Sequence, residues 1–180
     1  MKRVILDNKK FRLTIERLCH QLIENHGDFR NACLVGVQPR GKFLSNRLEE
    51  RLQQLLPDSQ NLTHGIIDPT FYRDDFRRTD KLHTPKRTTI DFTIEGKNVI
   101  LVDDVFFTGR TIRSALDALL DYGRPAKVEL LVLIERRFTH QLPIQPDYIG
   151  KEIDSIVSEK VSVEWKETEG EDTVWIVDKE

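Results

Sequence analysis

The chain has 180 residues, 38% of them hydrophobic and 32% charged, with a formal net charge of −2. That describes a soluble globular protein long enough for one domain with a sizeable core, and no apolar run approaches the length of a membrane span. The start, Met1-Lys2-Arg3-Val4-Ile5-Leu6-Asp7, is too soon charged for a signal peptide, and Cys19 and Cys33 lack metal-ligand or redox spacing, which reads as two buried reduced thiols in a cytoplasmic protein.

Phe11, Ile15, Leu18 and Leu22, with Cys19 and Ile23, recur at helical spacing and predict an amphipathic helix over about residues 8–25. Asp7 or Asn8 can cap it, and Gly27-Asp28 end it. Ala32–Val37 is a candidate buried strand, followed by Gln38-Pro39-Arg40-Gly41. Phe43, Leu44, Leu48, Leu52 and Leu55 mark the inward side of a second helix, which Pro57 stops. His64–Asp68 reads as another strand. From Tyr72 to Asp91 the chain is polar, dense in charge and without periodicity: a long loop or mobile hairpin, of a length that goes with function or disorder. Val99–Val102 predicts a strand buried on both faces. Ile112, Ala115, Leu116, Leu119 and Leu120 form one helical stripe, with Gly123 as its C-cap and Pro125 barring continuation. Val128–Ile134 is a further apolar strand, and the alternation in Lys160–Val177 suggests edge strands. Strands alternating with helices argue a mainly parallel sheet covered on both faces, a single domain over 1–180.

The chemistry concentrates in residues 99–111. Asp103 and Asp104 fall at the carboxyl end of a buried strand, the edge at which open α/β sheets bind ligands. Thr108, Gly109, Arg110 and Thr111 then open a helix whose free backbone N–H groups favour a phosphate. Acids for hydroxyls or a metal-bound diol, beside amides for a phosphate, suit a ribose 5-phosphate. The spacing of a P-loop is absent. Arg40-Gly41 follows another buried strand. Gly41 permits a backbone geometry closed to other residues, while Arg40 can fork onto phosphate oxygens or stand as an exposed turn arginine.

These residues resemble the phosphoribosyl-pyrophosphate (PRPP) motif of type I phosphoribosyltransferases. The form Asp103-Asp104-Val105-Phe106-Phe107-Thr108-Gly109-Arg110-Thr111 resembles, more narrowly, the pyrimidine-operon regulator family, whose members double as uracil phosphoribosyltransferases. Val4–Asp7, Phe71–Asp75, Gly123–Pro125, Leu142–Ile144, Asp147–Lys151 and Ser158–Val161 agree with it, so the resemblance runs the length of the chain. It implies a mainly parallel twisted sheet with helices on both faces, a small hood and a flexible loop. It implies a pentosyltransferase making UMP and pyrophosphate from uracil and PRPP with magnesium (Mg2+). Arg40, Asp103 and Asp104 are then the catalytic set, the acids binding the 2- and 3-hydroxyls directly or through magnesium. Val105, Phe106, Phe107, Thr108, Gly109, Arg110 and Thr111 hold PRPP, with 108–111 at the 5-phosphate. Pro39, Arg40 and Gly41 serve the pyrophosphate, as do Arg73 and Arg87 in the long loop, and Arg136 and the backbone of Val161 meet the base.

The chain departs from that pattern in four places. Pro39 stands where the family usually has Thr and supplies no N–H donor. Phe107 replaces the usual Tyr; some purine enzymes carry there an Asp, which an aromatic cannot imitate. Residues 135–144 are one longer than usual, with Arg137 for Gly and Glu135 for Asp. On the first helix, Arg17 and His20 retain a leader-RNA signature, but Glu16 replaces Thr and repels phosphates. Residues 1–60 hold 11 Lys/Arg against 7 Asp/Glu, and residues 151–180 hold 4 against 10; the basic third fits an RNA surface or a solvated helix face. The other reading is a regulator with weak or vestigial catalysis, a sensor of UMP or UTP that binds RNA. A homodimer or higher homo-oligomer is expected.

Overall fold

The computed structural model describes residues 2–56, 58, 60–74, 85–155 and 158–178. Chain order is β1 (Lys2–Leu6), α1 (Asn8–His26), β2 (Ala32–Val37), α2 (Gly41–Leu55), β3 (Thr63–Ile67), β4 (Asn98–Phe106), α3 (Arg110–Leu119), β5 (Lys127–Arg137), β6 (Tyr148–Asp154), β7 (Glu159–Glu164), α4 (Lys166–Glu169) and β8 (Thr173–Asp178). The first helix starts and stops where its local chemistry dictates. The Asp7 carboxylate accepts from the Lys10 N–H at 2.8 Å, and Gly27, at φ 58°, donates to the Ile23 carbonyl.

Five strands form a sheet in the order β3-β2-β4-β5-β6, every pairing parallel. Burial on both faces explains the unbroken apolar runs. Ile100 and Val102 of β4 face a core shared with Leu18 and Leu22 of α1 and Leu44 and Leu48 of α2. Val99 and Leu101 face the opposite core, shared with Ile112, Ala115 and Leu119 of α3. The other three strands make an antiparallel sheet, β1-β8-β7, which is the hood. Leu6, Val163, Val174 and Ile176 join it to the first core. Trp165, fully buried, pins it: its ring meets Phe11 edge-on at 5.2 Å and lies tilted against Phe43 at 5.8 Å.

Several sequence expectations need correction. β4 does not end at Val102. Its ladder to β5 continues through Asp103↔Val132, Val105↔Ile134 and Phe106↔Glu135, so both acids lie within the strand's last turns of pleat. α3 does begin, as expected, within Thr108–Thr111, at Arg110. Leu120 leaves the apolar stripe and is 63% exposed, because the chain tightens there into a 3₁₀ turn, Leu120–Tyr122, and Gly123 closes that turn rather than the α-helix. The C-terminal segment is not a pair of edge strands: β8 is the central strand of the hood, and β1, unmarked by periodicity, is one of its edges. Strand β5 runs on to Arg137, past the expected Ile134. Pro57, Asp75 and the rest of residues 75–84 lie outside the described residues; beyond them, Thr89 bridges Ile66 and returns the long connection to β3. Among the described residues, no helix is long and apolar enough to cross a membrane. Cys19 and Cys33 are buried free thiols, pushed by burial up to about 12 and about 11.

Candidate active site

Parallel pairing puts the carboxyl ends of β2, β4 and β5 at one edge, and the charged residues of the motif gather there. Asp103 and Asp104 are buried at 8% and 9% exposure. The Asp103 carboxylate accepts from the Asp104 N–H at 2.9 Å. Burial, then the neighbouring Asp104 charge, drives the Asp103 carboxyl well above its ordinary range. Burial also raises Asp104, opposed chiefly by the Arg40 guanidinium. Two buried acids in this state suit a partner that brings hydroxyl donors or positive charge.

The turn after β2 is pressed onto these acids. A Cβ on Gly41 would stand 2.4 Å from the Val102 carbonyl oxygen and 2.9 Å from Asp103 Cα, so nothing larger than glycine fits. The Gln38–Pro39 peptide before it is cis. Gln38 donates to the Ile67 carbonyl from its backbone and to the Arg87 carbonyl, at 3.4 Å, from its side chain, which brings Arg87 to this turn. Arg40 caps α2 without a side-chain bond to it. Its Nε lies 3.3 Å from Asp104 Oδ2, two of its other donors reach Glu169 Oε1 at 3.3 Å, and Nη2 donates to the Val163 carbonyl.

Beyond the acids, a cleft of about 270 Å³ is lined by Arg73, Asp103 and the continuous stretch Val105–Ile112. Gly109, at φ 87°, makes the sharp entry into α3 and offers it no side-chain cap, while the Arg110 N–H reaches Thr108 Oγ1 at 3.4 Å. Arg110 pairs with Asp74 and donates to Gln141 at 3.0 Å, while the Gln141 N–H donates to the Thr108 carbonyl. Thus the connection before residue 75 and the one after β5 both dock on the motif turn. Arg136 is buried, donates to Ser155 Oγ at 2.7 Å and to the Glu159 carbonyl at 3.1 Å, and stands 4.1 Å over the Phe107 ring. It therefore joins Phe107 to β7, the strand that carries Val161. Glu135 is buried, with its carboxyl pushed up by burial, 3.4 Å from His140.

Asp103, Asp104, Arg73, Gly41 and residues 105–111 are thus neighbours, with Arg40, Arg87 and Arg136 attached to their margins. Arg17 and His20 stand apart on α1. Arg17 donates to the carbonyls of Ile149 and Gly150, and His20 lies 3.3 Å from Glu16. Glu16 in turn accepts two bonds from Arg51, at 2.6 and 2.8 Å. Sequence reasoning missed Glu169, Gln141 and Ser155. Glu169 sat unremarked in an acidic stretch, Gln141 lay in the 135–144 segment without a role of its own, and Ser155 stands in no motif.

Asp103 and Asp104 supply hard oxygen donors of the kind magnesium takes. Among the described residues, no group of three or more His, Cys, Asp or Glu forms a cage. The acids therefore fit a magnesium that an oxygen-rich ligand helps to hold. A larger cavity, about 510 Å³, opens between α1 and α2, but its Arg47 and Arg51 are already paired with Glu167, Asp172 and Glu16.

The model of the phosphoribosyl transferase domain matches residues 3–168 of this chain. Over 179 residues the chain is 43% identical to the bifunctional protein PyrR of Haemophilus ducreyi, covering 98% of this chain and 97% of that protein. It is 38% identical over 179 residues to the bifunctional protein PyrR of Elusimicrobium minutum, with 99% and 98% covered. Among solved structures it is similar to a hypoxanthine phosphoribosyltransferase from Staphylococcus aureus, with a TM-score of 0.70 at 18% identity over 98% of this chain and 92% of that one. The hypoxanthine phosphoribosyltransferase of Trypanosoma cruzi gives a TM-score of 0.70 at 17% identity, over 99% and 97%. At those identities the two structures show a shared fold and nothing of the base.

Proposed function

The chain belongs to the phosphoribosyl transferase family, and on that premise we propose that it is a uracil phosphoribosyltransferase that doubles as a pyrimidine-operon regulator. The observation that carries the reading is the buried acid pair of β4, of which Asp103 lines one cleft together with the turn that opens α3. Ribose hydroxyls are donors for Asp103 and Asp104, and the 5-phosphate suits the N–H groups of residues 108–111. The pyrophosphate falls to the turn at Gly41, with Arg40, Arg73 and Arg87 as its cations. In the reaction a ring nitrogen of uracil gives up its proton and bonds to the ribose C1, the bond from C1 to the pyrophosphate oxygen breaks, and the pyrophosphate takes that electron pair and leaves with the proton released beside it. Magnesium, when bound, neutralises pyrophosphate charge and orients PRPP. The protein's own part is positioning and electrostatic help to the leaving group.

For the base, Phe107 offers a flat face and no proton acceptor, which favours uracil over hypoxanthine or guanine. Arg136 acts on the base by holding Phe107 and the β7 backbone near Val161. The reading includes a cytoplasmic location, where thiols such as Cys19 and Cys33 stay reduced, and a homodimer or higher homo-oligomer. Pro39, with no N–H for pyrophosphate, favours a second reading in which catalysis is weak and the protein chiefly senses UMP or UTP on a pyrimidine leader RNA, with Arg17 and His20 on the RNA face.

A product assay with PRPP, magnesium and a panel of bases tests the enzyme. Uracil is expected to outpace guanine and hypoxanthine at equal concentration, and a purine outpacing uracil overturns the base assignment. Gel shifts against the RNA upstream of the host's pyrimidine genes, with and without UMP, test the regulator. UMP-dependent binding with negligible turnover selects the second reading.

A further inference from the structure

We infer that Glu169 is a positioning residue for Arg40, holding its guanidinium in the gap between the acid Asp104 and the hood, so that the two sides of the cleft share one side chain. The inference rests on the reading of this cleft as a PRPP site and adds a residue to it. Arg40 begins on a rigid base, since Gly41 beside it has no room to shift against Val102 and Asp103. Its far end is rigid too. Glu169 ends α4, and its Oε2 accepts from the Trp165 N–H at 2.8 Å and from the Thr168 hydroxyl. Trp165 is locked in the core by Phe11 and Phe43. The remaining oxygen, Oε1, takes two guanidinium nitrogens at 3.3 Å. A continuous line therefore runs from the buried tryptophan through Glu169 and Arg40 to Asp104.

This line has two consequences. An arginine already ordered by protein partners loses less rotamer freedom when an anion arrives than one that must first be immobilised. Arg40 also keeps its positive charge at the acid pair, with Nε 3.3 Å from Asp104 Oδ2. Because Nη2 also donates to Val163, two residues along β7 from Val161, the base-side strand and the ribose-side acid are fixed by the same group. The opposite sign is physically conceivable: a carboxylate that competes with pyrophosphate for Arg40. The geometry favours positioning, because Glu169 approaches from the hood side while Asp104 stays in contact with Nε.

The test uses the full chain carrying Glu169→Ala, Glu169→Gln, Arg40→Ala, and the Arg40→Ala/Glu169→Ala pair. PRPP with magnesium is titrated calorimetrically, and KM for PRPP, KM for uracil and kcat are measured with thermal melting alongside. Glu169→Ala is expected to weaken PRPP binding roughly fivefold to tenfold, the scale of one partly exposed charge-assisted contact. KM for PRPP should rise by the same factor, kcat should change by less, and Glu169→Gln should retain part of the affinity. The double variant should bind no more weakly than Arg40→Ala alone, because one acts through the other. Unchanged binding, tighter binding, additive losses, or a uniform fall in every parameter together with the melting temperature each overturns the inference. Should the alanine variant fail to fold, Glu169→Gln decides by the same criteria. If the wild type itself neither binds PRPP nor uses uracil, the function reading has failed; if it does both and the Glu169 variants match it, this inference alone has failed.

Discussion

Asp103 and Asp104 sit where burial and mutual repulsion both work against ionisation. A group of this kind costs the ligand-free fold stability when it loses its proton, because its folded pKa lies above its unfolded one. An acid pair held at that cost supports the proposed binding site over a packing requirement. Changing both to Asn is expected to abolish PRPP binding in calorimetric titration with magnesium while leaving the melting temperature no lower than that of the wild type. Undiminished binding in the folded double variant would remove these acids from the site. At this same scale the sequence was only partly legible. The acid pair and the Thr-Gly-x-Thr turn were visible because contiguous residues carry the chemistry. That Arg40 spends its donors on Asp104, Val163 and Glu169 was not, because its partners lie more than 60 positions away.

Elements here are held by polar links as well as by their apolar faces. Ser45 of α2 has its Oγ 3.0 Å from the Lys42 carbonyl and 3.0 Å from His64 Nε2 on β3, and His64 Nδ1 lies 2.7 Å from Glu49. Gly36 of β2 makes room for this cluster, since a Cβ there would fall 2.1 Å from Ser45 Oγ. Burial lowers the His64 pKa, with the Glu49 charge opposing. A histidine with a depressed folded pKa contributes stability above its unfolded value of about 6.5, and that contribution is lost as pH falls through the folded value. The melting temperature is therefore expected to drop as pH is lowered below that range, and His64→Gln is expected to flatten the drop. An identical profile in the variant would sink this account. Ser45→Ala should cost about 1–2 kcal/mol, the value of leaving one buried polar atom unpaired. On α1, the Glu16 that departs from the leader-RNA signature is not a bare charge. Arg51 of α2 grips it, so the repulsion expected of Glu16 toward phosphate is answered by a neighbouring guanidinium that the sequence left 35 positions away.

At the scale of the molecule, the hood and the parallel sheet are two layers joined through a small set of contacts, of which Trp165 is the largest side chain. Trp165→Ala is expected to cost about 3–5 kcal/mol, as for other fully buried aromatics. It should also raise KM for both substrates, because β7 loses its anchor and Glu169, which accepts from the Trp165 N–H, loses the fixed end that holds it on Arg40. Melting curves and the two constants check both halves, and unchanged constants in a folded variant would argue against a hood that serves the cleft.

What the sequence determined by itself is what short-range physics writes into neighbouring residues. The apolar runs marked β2, β4 and β5 as buried on both faces, and Asp7 and Gly27 marked the ends of α1. The contiguous motif of β4 and α3 marked the proposed ligand edge and, with the segments spread along the chain, the family. Tertiary structure alone decided which distant residues complete that edge. Lys2 pairs with Val177 and Glu159 with Asp178 to build a hood around a central β8, and Glu169 and Val163 claim Arg40. Arg136 settles between Phe107 and β7. Strand register and guanidinium contacts of this kind depend on how two layers pack, and a hydrogen bond between residues more than 100 positions apart leaves no periodicity and no local propensity in the chain.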